Sequence, residues 1–305
     1  MFTQPNFFFI GGMRCGSTSL NLMLEQHPEI YMSGVKEPHY YLAQAFRNKE
    51  TPSPEDTEFL ETFVKGGKYR TAHTYQSLFQ DIGGAKVVGE SSHYLYYGET
   101  AAAIYKDSPD ARILVCLRNP VDRLFSEYLL FLRDGRETGN FADFIERYAA
   151  DFINQKTRDK MKIPKLDKGL QAELLKPWFK QFGRERVKTV LFDDLNQHPV
   201  ETMKDIFSWL EVDADFTAQK IHAQKGGAAK AKWMTKAMNS QTGILKRVKG
   251  LVPKTIKVKL RSAVFSRTLE RPEMEPETRR FLVEFYQDDV EQLSKIIRKD
   301  LTCWT

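Results

Sequence analysis

The stretch that decides the fold is NFFFIGGMRCGSTSL, residues 6–20. Its apolar run at residues 7–10 ends in a glycine pair, which is typical of a buried parallel strand that leads into a tight turn. From Ser17 the chain carries apolar residues at helical spacing, and Pro28 ends the run. A strand, a glycine-rich turn and a helix in this order point free backbone N–H groups and the positive end of a helix at a phosphate.

The glycine-rich turn matches the spacing of a nucleotide-binding P-loop at every fixed position but one. The P-loop pattern is GxxxxGK[ST], and residues 11–18 depart from it at Ser17, which stands where the pattern has a phosphate-binding lysine. The cation of this loop is Arg14 instead. A loop that keeps the cradle but lacks that lysine suits a nucleotide with a short 5′ group. The structural alternative is an ordinary strand–turn–helix whose glycines serve only the turn.

The length predicts one large α/β domain over residues 1–305, or a domain with appendages. This length allows a substantial core, and 41% hydrophobic with 28% charged residues is usual for a soluble globular protein. No run reaches the roughly 18 apolar residues of a membrane span, and the first residues lack a secretory signal pattern. The three cysteines are too few and too scattered for a disulfide framework or a zinc site. We therefore expect a cytoplasmic, reduced protein without a metal.

The positive charge is concentrated in one block. Residues 220–267 contain 13 Lys or Arg and no Asp or Glu, so the rest of the chain carries a net charge of −7. We interpret the block as a surface for an anion, which can be a nucleotide phosphate, a polyanionic substrate or a membrane. A solvated basic face is the alternative, above all for residues 246–267.

Two pairs of an acid and an imidazole follow predicted strands. Glu37 and His39 come just after a short strand predicted at residues 30–32, and Glu90 and His93 stand at the end of the next strand. Ligands of an open parallel sheet gather at the carboxyl ends of its strands. These four residues are therefore candidate acid–base groups, with a salt bridge in a solvated loop as the alternative.

A further strand predicted at residues 111–117 ends in Arg118, and the next helix carries Arg123 and Ser126. Two guanidinium groups and a hydroxyl could converge there on one phosphate monoester. A Walker-B strand would end in an Asp that holds magnesium, so this strand end implies metal-free chemistry. The carboxylates at residues 193–194 could imitate such a site, but we interpret them as a helix cap.

Four motifs, in this order, resemble one known family: NFFFIGGMRCGSTSL, VKEPHYY, GESSHYLY and LVCLRNPVDRLFSEYL. They are similar to sulfotransferases that use 3′-phosphoadenosine-5′-phosphosulfate (PAPS), above all to carbohydrate-type enzymes of the heparan-sulfate class and their bacterial relatives. The resemblance covers most of the chain. Residues 186–212 look like the family's late strand and helix, and HAQKGGAAKAKWM resembles its nucleotide-closing loop.

The resemblance implies a fold and a donor site. The fold is α/β, a P-loop nucleotide-kinase-like parallel sheet flanked by helices. The glycine-rich loop would bind the 5′-phosphosulfate, Arg118 and Ser126 would bind the 3′-phosphate, and Lys225 with the glycines after it would close over the nucleotide. The implied donor-binding residues are Gly12, Met13, Arg14, Cys15, Gly16, Ser17, Thr18, Ser19, Arg118, Ser126, Lys225, Gly226 and Gly227.

The resemblance also implies in-line sulfuryl transfer to a hydroxyl, or less readily an amine, with adenosine 3′,5′-bisphosphate as product and no metal. Glu37 falls on the position of the catalytic base, with His39 beside it. Arg14 would stabilise charge on the transferred group. Glu90 and His93 would serve as alternative bases or substrate contacts.

One motif departs from the family pattern. Some relatives carry a lysine where this chain has Ser91, so Arg14 is the main cation expected near the transferred group. Cys15 is interpreted as a small filler of the loop, although a helix start could lower its thiol pKa. Residues 44–83 are expected to form an excursion or lid, and residues 133–169 would line the acceptor cleft.

The expected partner is a small-molecule, glycan or lipid acceptor and not a nucleic acid, with residues 246–267 available for peripheral membrane contact. Two other functions stay open. A P-loop kinase would need a lysine at the position of Ser17 and a magnesium carboxylate. A non-catalytic anion-binding protein would use the basic block, and it would not need Arg118 and Ser126 to be matched to a P-loop.

Overall fold

A five-stranded parallel sheet with the strand order β2-β3-β1-β4-β5 forms the centre of the protein. The computed structural model describes residues 3–47, 69–153, 166–219, 228–229, 269–270 and 272–305. The strands are β1 (Phe7–Phe9), β2 (Ile30–Met32), β3 (Val87–Ser91), β4 (Arg112–Leu117) and β5 (Val187–Leu191), and β6 (Ala228–Ala229) pairs antiparallel with β7 (Leu269–Glu270). The strands predicted at residues 7–10, 30–32 and 111–117 lie within one residue of these bounds.

Helices cover both faces of the sheet, which confirms the predicted fold class. They are α1 (Ser17–Leu24), α2 (Tyr40–Arg47), α3 (Ala72–Gln76), α4 (Glu99–Asp107), α5 (Pro120–Asp134), α6 (Phe141–Ile153), α7 (Gln171–Arg186), α8 (Phe192–Gln197), α9 (Pro199–Leu210) and α10 (Pro276–Ile297). Within the described residues, no helix combines the length and the apolar character needed to cross a membrane.

The strands separate two hydrophobic cores because alternate side chains point to opposite faces. Phe8 and Ile113 belong to the larger core, while Phe7, Phe9 and Leu114 belong to the smaller one. All five side chains are fully buried. Burial on both faces explains why these strands read as continuous apolar runs in the sequence.

The topology brings three loops together at the carboxyl edge of the sheet. β1 lies between β3 and β4, so the chain after β1 has neighbours on both sides. Ser92 donates its backbone N–H to Phe9 O at 3.1 Å, and Gly12 donates its own to Cys116 O at 3.3 Å. The loops that follow β1, β3 and β4 therefore form one surface, the usual ligand site of an open parallel sheet.

Local sequence signals fix helix α5 at this edge. The Asn119 side chain accepts hydrogen bonds from the N–H groups of the first turn, and Pro120 occupies the first helical position. Gly135 ends the helix with φ 71°, a conformation that glycine adopts without strain. These caps place Ser126 in the second turn, facing the loop after β1.

The predicted excursion at 44–83 is only partly described. Residues 48–68 lie outside the described ranges, but Tyr75 and Phe79 are buried in the larger core. This end of the segment therefore packs against the body of the protein, and the lid stays a prediction for the residues outside the described ranges. In the predicted acceptor segment 133–169, residues 154–165 lie outside the described ranges. In the basic block 220–267, the structure describes only β6.

Candidate active site

The loop between β1 and α1 has the backbone geometry of an anion site. Gly16 precedes α1 with φ 82°, and no side chain caps the first-turn N–H groups of this helix. An uncapped helix start favours a bound anion. A Cβ on Gly16 would lie 2.8 Å from the Phe192 ring, and one on Gly12 would lie 2.7 Å from Cys15 Sγ. Close packing therefore requires glycine at both positions.

Neighbouring elements hold this loop in place. The Met13 N–H donates to the Tyr96 hydroxyl at 2.7 Å, and Cys116 Sγ donates to Cys15 O at 2.8 Å. Burial raises the pKa of the Cys15 thiol to about 11. Cys15 is thus a neutral packing residue, and the alternative of a reactive thiolate is wrong.

Three predicted donor-binding residues form one cluster. Arg14 Nε donates to Ser126 Oγ at 3.0 Å, and Arg118 Nη1 donates to Arg14 O at 3.0 Å. Burial, followed by the nearby charges of Arg133 and Arg118, lowers the pKa of Arg14. The resemblance assigned Arg14 and Ser126 to opposite ends of the donor, whereas the structure places their side chains in contact.

Arg118 is held on several sides. Its guanidinium lies over the Phe192 ring, with Cζ 4.5 Å from the centroid, a favourable cation–π geometry. The buried Gln171 accepts from the backbone N–H of Arg118 at 3.3 Å and donates to its carbonyl at 2.8 Å. These contacts with Phe192 and Gln171 fix the position of the Arg118 guanidinium without a ligand.

Arg123 does not reach the site. Its side chain is 1% exposed and pairs with the equally buried Glu127, with 2.9 Å between Nη1 and Oε2. Lys168 Nζ lies 3.7 Å from the other oxygen of Glu127. The prediction that Arg123 binds phosphate is therefore wrong, because one helical turn directs the side chain into the core toward Glu127.

The predicted base Glu37 forms a pair with His93. Glu37 Oε1 lies 2.9 Å from His93 Nε2, and His93 Nδ1 lies 3.1 Å from Gly11 O. Both ring nitrogens of His93 thus lie near oxygen atoms. The hydrogen bond from His93 lowers the pKa of Glu37 to about 2, against the opposing effect of burial. Glu37 is therefore a carboxylate at neutral pH.

His39 and Glu90 occupy different environments. Burial lowers the pKa of His39, which favours a neutral imidazole. Glu90 is fully buried, and burial raises its pKa to about 7. Ser92 Oγ donates to Glu90 Oε2 at 3.3 Å. Glu90 thus lies within the protein interior, and the prediction of an acceptor-facing base at this position is wrong.

The three predicted catalytic residues all have an unusual backbone conformation with positive φ. Five non-glycine residues in the described part of the chain have positive φ: Arg14, Glu37, His39, Glu211 and Arg298. Glu211 and Arg298 end α9 and α10, where this conformation is common. Of the other three, His39 directly precedes α2, and none follows the last residue of a helix. Backbone strain of this kind concentrates at functional sites, so it supports Arg14, Glu37 and His39 as site residues.

Lys36 is a site residue that the sequence reasoning missed. Its Nζ donates to Ser17 Oγ at 3.3 Å and to Thr18 Oγ1 at 3.1 Å. Both hydroxyls belong to the first turn of α1, next to Ser19. The available signal was the lysine directly before Glu37, since both follow the carboxyl end of β2.

The remaining predicted residues have other surroundings. Asp194 pairs with Lys299 at 2.8 Å, and Asp193 accepts from Trp304 Nε1 at 3.3 Å, so both carboxylates hold the C-terminal segment. They lie in the first turn of α8, whose N-cap is Leu191, so the prediction that they cap a helix is wrong. Among the described residues no group of acidic, histidine and cysteine side chains could hold a metal ion. Lys225, Gly226 and Gly227 lie outside the described residues.

Curated proteins similar to this chain are sulfotransferases. Human carbohydrate sulfotransferase 15 is 24% identical over 269 residues, which cover 75% of this chain and 47% of that protein. Mouse bifunctional heparan sulfate N-deacetylase/N-sulfotransferase 4 is 21% identical over 301 residues, which cover 97% of this chain and 30% of that protein. The chain thus spans about half the length of the first relative and less of the second.

A solved structure agrees with these matches. The crystal structure of a sulfotransferase from Alicyclobacillus acidocaldarius has 31% sequence identity and a TM-score of 0.70, with 99% of each chain covered. Residues 5–216, more than half of this chain, match the family described as the sulfotransferase family. The resemblance stated from the motifs is confirmed. The chain belongs to the sulfotransferase family.

Proposed function

We propose that this protein transfers a sulfuryl group from PAPS to a hydroxyl of a carbohydrate acceptor. The observation that carries the proposal is the cluster of Arg14, Ser126 and Arg118 beside the uncapped start of α1. Family membership favours this chemistry over a P-loop kinase and over non-catalytic anion binding.

The described residues fit the two anionic groups of this donor. The glycine-rich loop and the N–H groups of α1 suit the 5′-phosphosulfate, because a helix start stabilises negative charge. Arg118, held over Phe192, together with the Ser126 hydroxyl suits the 3′-phosphate. Lys225, Gly226 and Gly227 remain predicted closing residues.

The proposed reaction is a single in-line displacement at sulfur. The acceptor oxygen forms a bond to sulfur while the bond from sulfur to the bridging oxygen breaks, and that oxygen stays on the 5′-phosphate of the bisphosphate product. The acceptor proton passes to Glu37. Arg14 and the loop N–H groups stabilise charge on the leaving oxygens, and each well-placed donor of this kind contributes about 3–4 kcal/mol to catalysis.

Glu37 is the proposed base because it is the more exposed member of its pair. Its side chain is 36% exposed, whereas His93 is 18% exposed and fixed to the Gly11 carbonyl. With a pKa of about 2, Glu37 is a weak base, since the most effective catalytic pKa lies near the working pH. Glu37 is therefore suited to remove the acceptor proton late in the displacement. At that point the acceptor oxygen is already bonding to sulfur, which makes its proton more acidic.

The carbohydrate acceptor is proposed from the relatives. Two of them are named for carbohydrate and heparan sulfate substrates, and sugar hydroxyls are neutral groups that need a base such as Glu37. Transfer to an amine, a lipid or a small alcohol instead would indicate a different acceptor class. The acceptor cleft at 133–169, the membrane contact at 246–267 and a cytoplasmic location stay predictions.

A transfer assay tests the proposal. Purified protein is mixed with PAPS labelled in its sulfuryl group and with a panel of glycans, a fatty alcohol, phenol and an amino sugar, in buffer with a chelator. Label transfer to glycan hydroxyls is expected. Transfer to the amino group alone would change the acceptor class, and the absence of both transfer and binding of adenosine 3′,5′-bisphosphate would overturn the proposal.

A further inference from the structure

The cation that the P-loop pattern places on α1 is absent from the loop itself. Ser17 stands at that position, and the Arg14 side chain donates instead to Ser126 on α5. In a P-loop, the lysine at this position reaches the terminal phosphates of the nucleotide. The start of α1 thus lacks the usual cation from its own sequence.

Lys36 brings a cation to this place from a different element. Its Nζ lies 3.3 Å from Ser17 Oγ and 3.1 Å from Thr18 Oγ1. The backbone that carries it is anchored to β3, because the Glu37 N–H donates to Ser91 O at 2.8 Å and the Ser33 N–H donates to Gly89 O at 2.8 Å. The ammonium is therefore held at the first turn of α1 by the sheet.

The partners of Lys36 leave it able to bind an anion. Its nearest partners are two neutral hydroxyls, and the Glu37 carboxylate is farther away, with 4.0 Å between Nζ and Oε1. Burial lowers the pKa of Lys36, and the charges of Glu37 and Glu25 oppose this effect. A half-buried ammonium that has no carboxylate in hydrogen-bond contact among the described residues gains more from an incoming anion than a fully paired one.

We propose that Lys36 replaces the P-loop lysine and binds the 5′-phosphosulfate of the donor. This inference rests on the proposed function. As the bond from sulfur to the bridging oxygen breaks, negative charge builds on that oxygen, and the ammonium stabilises it.

Binding of two nucleotides separates this role from a structural one. Adenosine 3′,5′-bisphosphate carries the 5′ group, whereas adenosine 3′-monophosphate lacks it. In Lys36→Met, the Kd of the bisphosphate is expected to rise about tenfold, and the Kd of the monophosphate is expected to stay within twofold of wild type. Lys36→Arg keeps the charge and should recover most of the bisphosphate affinity. Lys86→Met, which removes an exposed lysine paired with Glu29, serves as the matched control.

Turnover gives the second readout. The kcat of Lys36→Met is expected to fall at least 100-fold, the range found when one stabilising donor is removed. A bisphosphate Kd within twofold of wild type in Lys36→Met would overturn the inference, because Lys36 would then act only beside Glu37. Failure of the wild-type protein to bind the bisphosphate would instead overturn the proposed function.

Discussion

Arg14 Nε donates to Ser126 Oγ over 3.0 Å and so joins residues that are 112 positions apart in the chain. The bond links the loop after β1 to helix α5. It forms at the carboxyl edge of the sheet, where the loop after β1 lies between β3 and β4. The donor site of this protein is therefore built by the topology of the sheet, with each wall supplied by a distant part of the sequence.

Ser126→Ala tests this link. Removal of the hydroxyl leaves Arg14 Nε without its Ser126 partner and removes a ligand proposed for the 3′-phosphate. We expect the Kd of adenosine 3′,5′-bisphosphate to rise five- to twentyfold, measured by calorimetry. Ser77→Ala, at an exposed hydroxyl that bonds only to Thr74 O among the contacts described, should bind as wild type. Equal affinities of all three proteins would contradict the assigned contact.

Glu37→Gln tests the proposed base. The amide keeps the size of the side chain and cannot accept the acceptor proton, so kcat should fall by about 10²–10⁴, the usual contribution of a general base. The affinity for the bisphosphate should stay unchanged. Glu173→Gln, at an exposed carboxylate on α7, is the control. Turnover that persists in Glu37→Gln would move the base to His39 or His93.

Much of the fold could be predicted from the sequence because buried parallel strands are continuous apolar runs. The five strands and the loop after β1 follow from this rule and from the glycines at residues 11, 12 and 16. The contact of Lys36 with Ser17 could not be predicted, because it depends on how the segment after β2 packs against β3.

The misassigned residues have a common physical reason. Arg123 and Glu90 carry charge at positions that the strand and helix periods direct into the core. In both cases the charge, together with a position close to a predicted strand end, suggested a ligand. The sequence pattern gives no sign of Glu127 as the buried partner of Arg123, since i,i+4 pairs of this kind also occur on exposed helix faces.

Glu90 gives a prediction for the pH dependence of stability. Its pKa is raised from 4.5 to about 7 in the folded protein, so the folded state holds a proton that the unfolded state has lost between these pH values. The free energy of unfolding of wild type should therefore decrease as pH rises from 4.5 to 7, by about 3 kcal/mol from this group. Urea unfolding of Glu90→Gln across this range should lack that part of the decrease. Parallel curves for the two proteins would contradict the assignment.

The ion pair of Arg123 and Glu127 gives a prediction for stability at constant pH. Glu127→Ala leaves a buried guanidinium without its carboxylate, so the free energy of unfolding should fall by about 3–5 kcal/mol. Glu173→Ala removes an exposed partner of Lys176 and should cost less than about 1 kcal/mol. Urea unfolding measures both. A similar loss in the two variants would show that Glu127 is not buried.

The most direct measurement of the central claim is the melting temperature with adenosine 3′,5′-bisphosphate in the presence of a chelator. Wild type should melt several degrees higher with the nucleotide, since a ligand at 100 times its Kd adds about 2.7 kcal/mol to the stability of the folded state. Arg118→Ala should lose this shift, because its guanidinium is the proposed ligand of the 3′-phosphate. A shift of equal size in Arg118→Ala, or stabilisation of wild type by ATP with magnesium but not by the bisphosphate, would contradict the account.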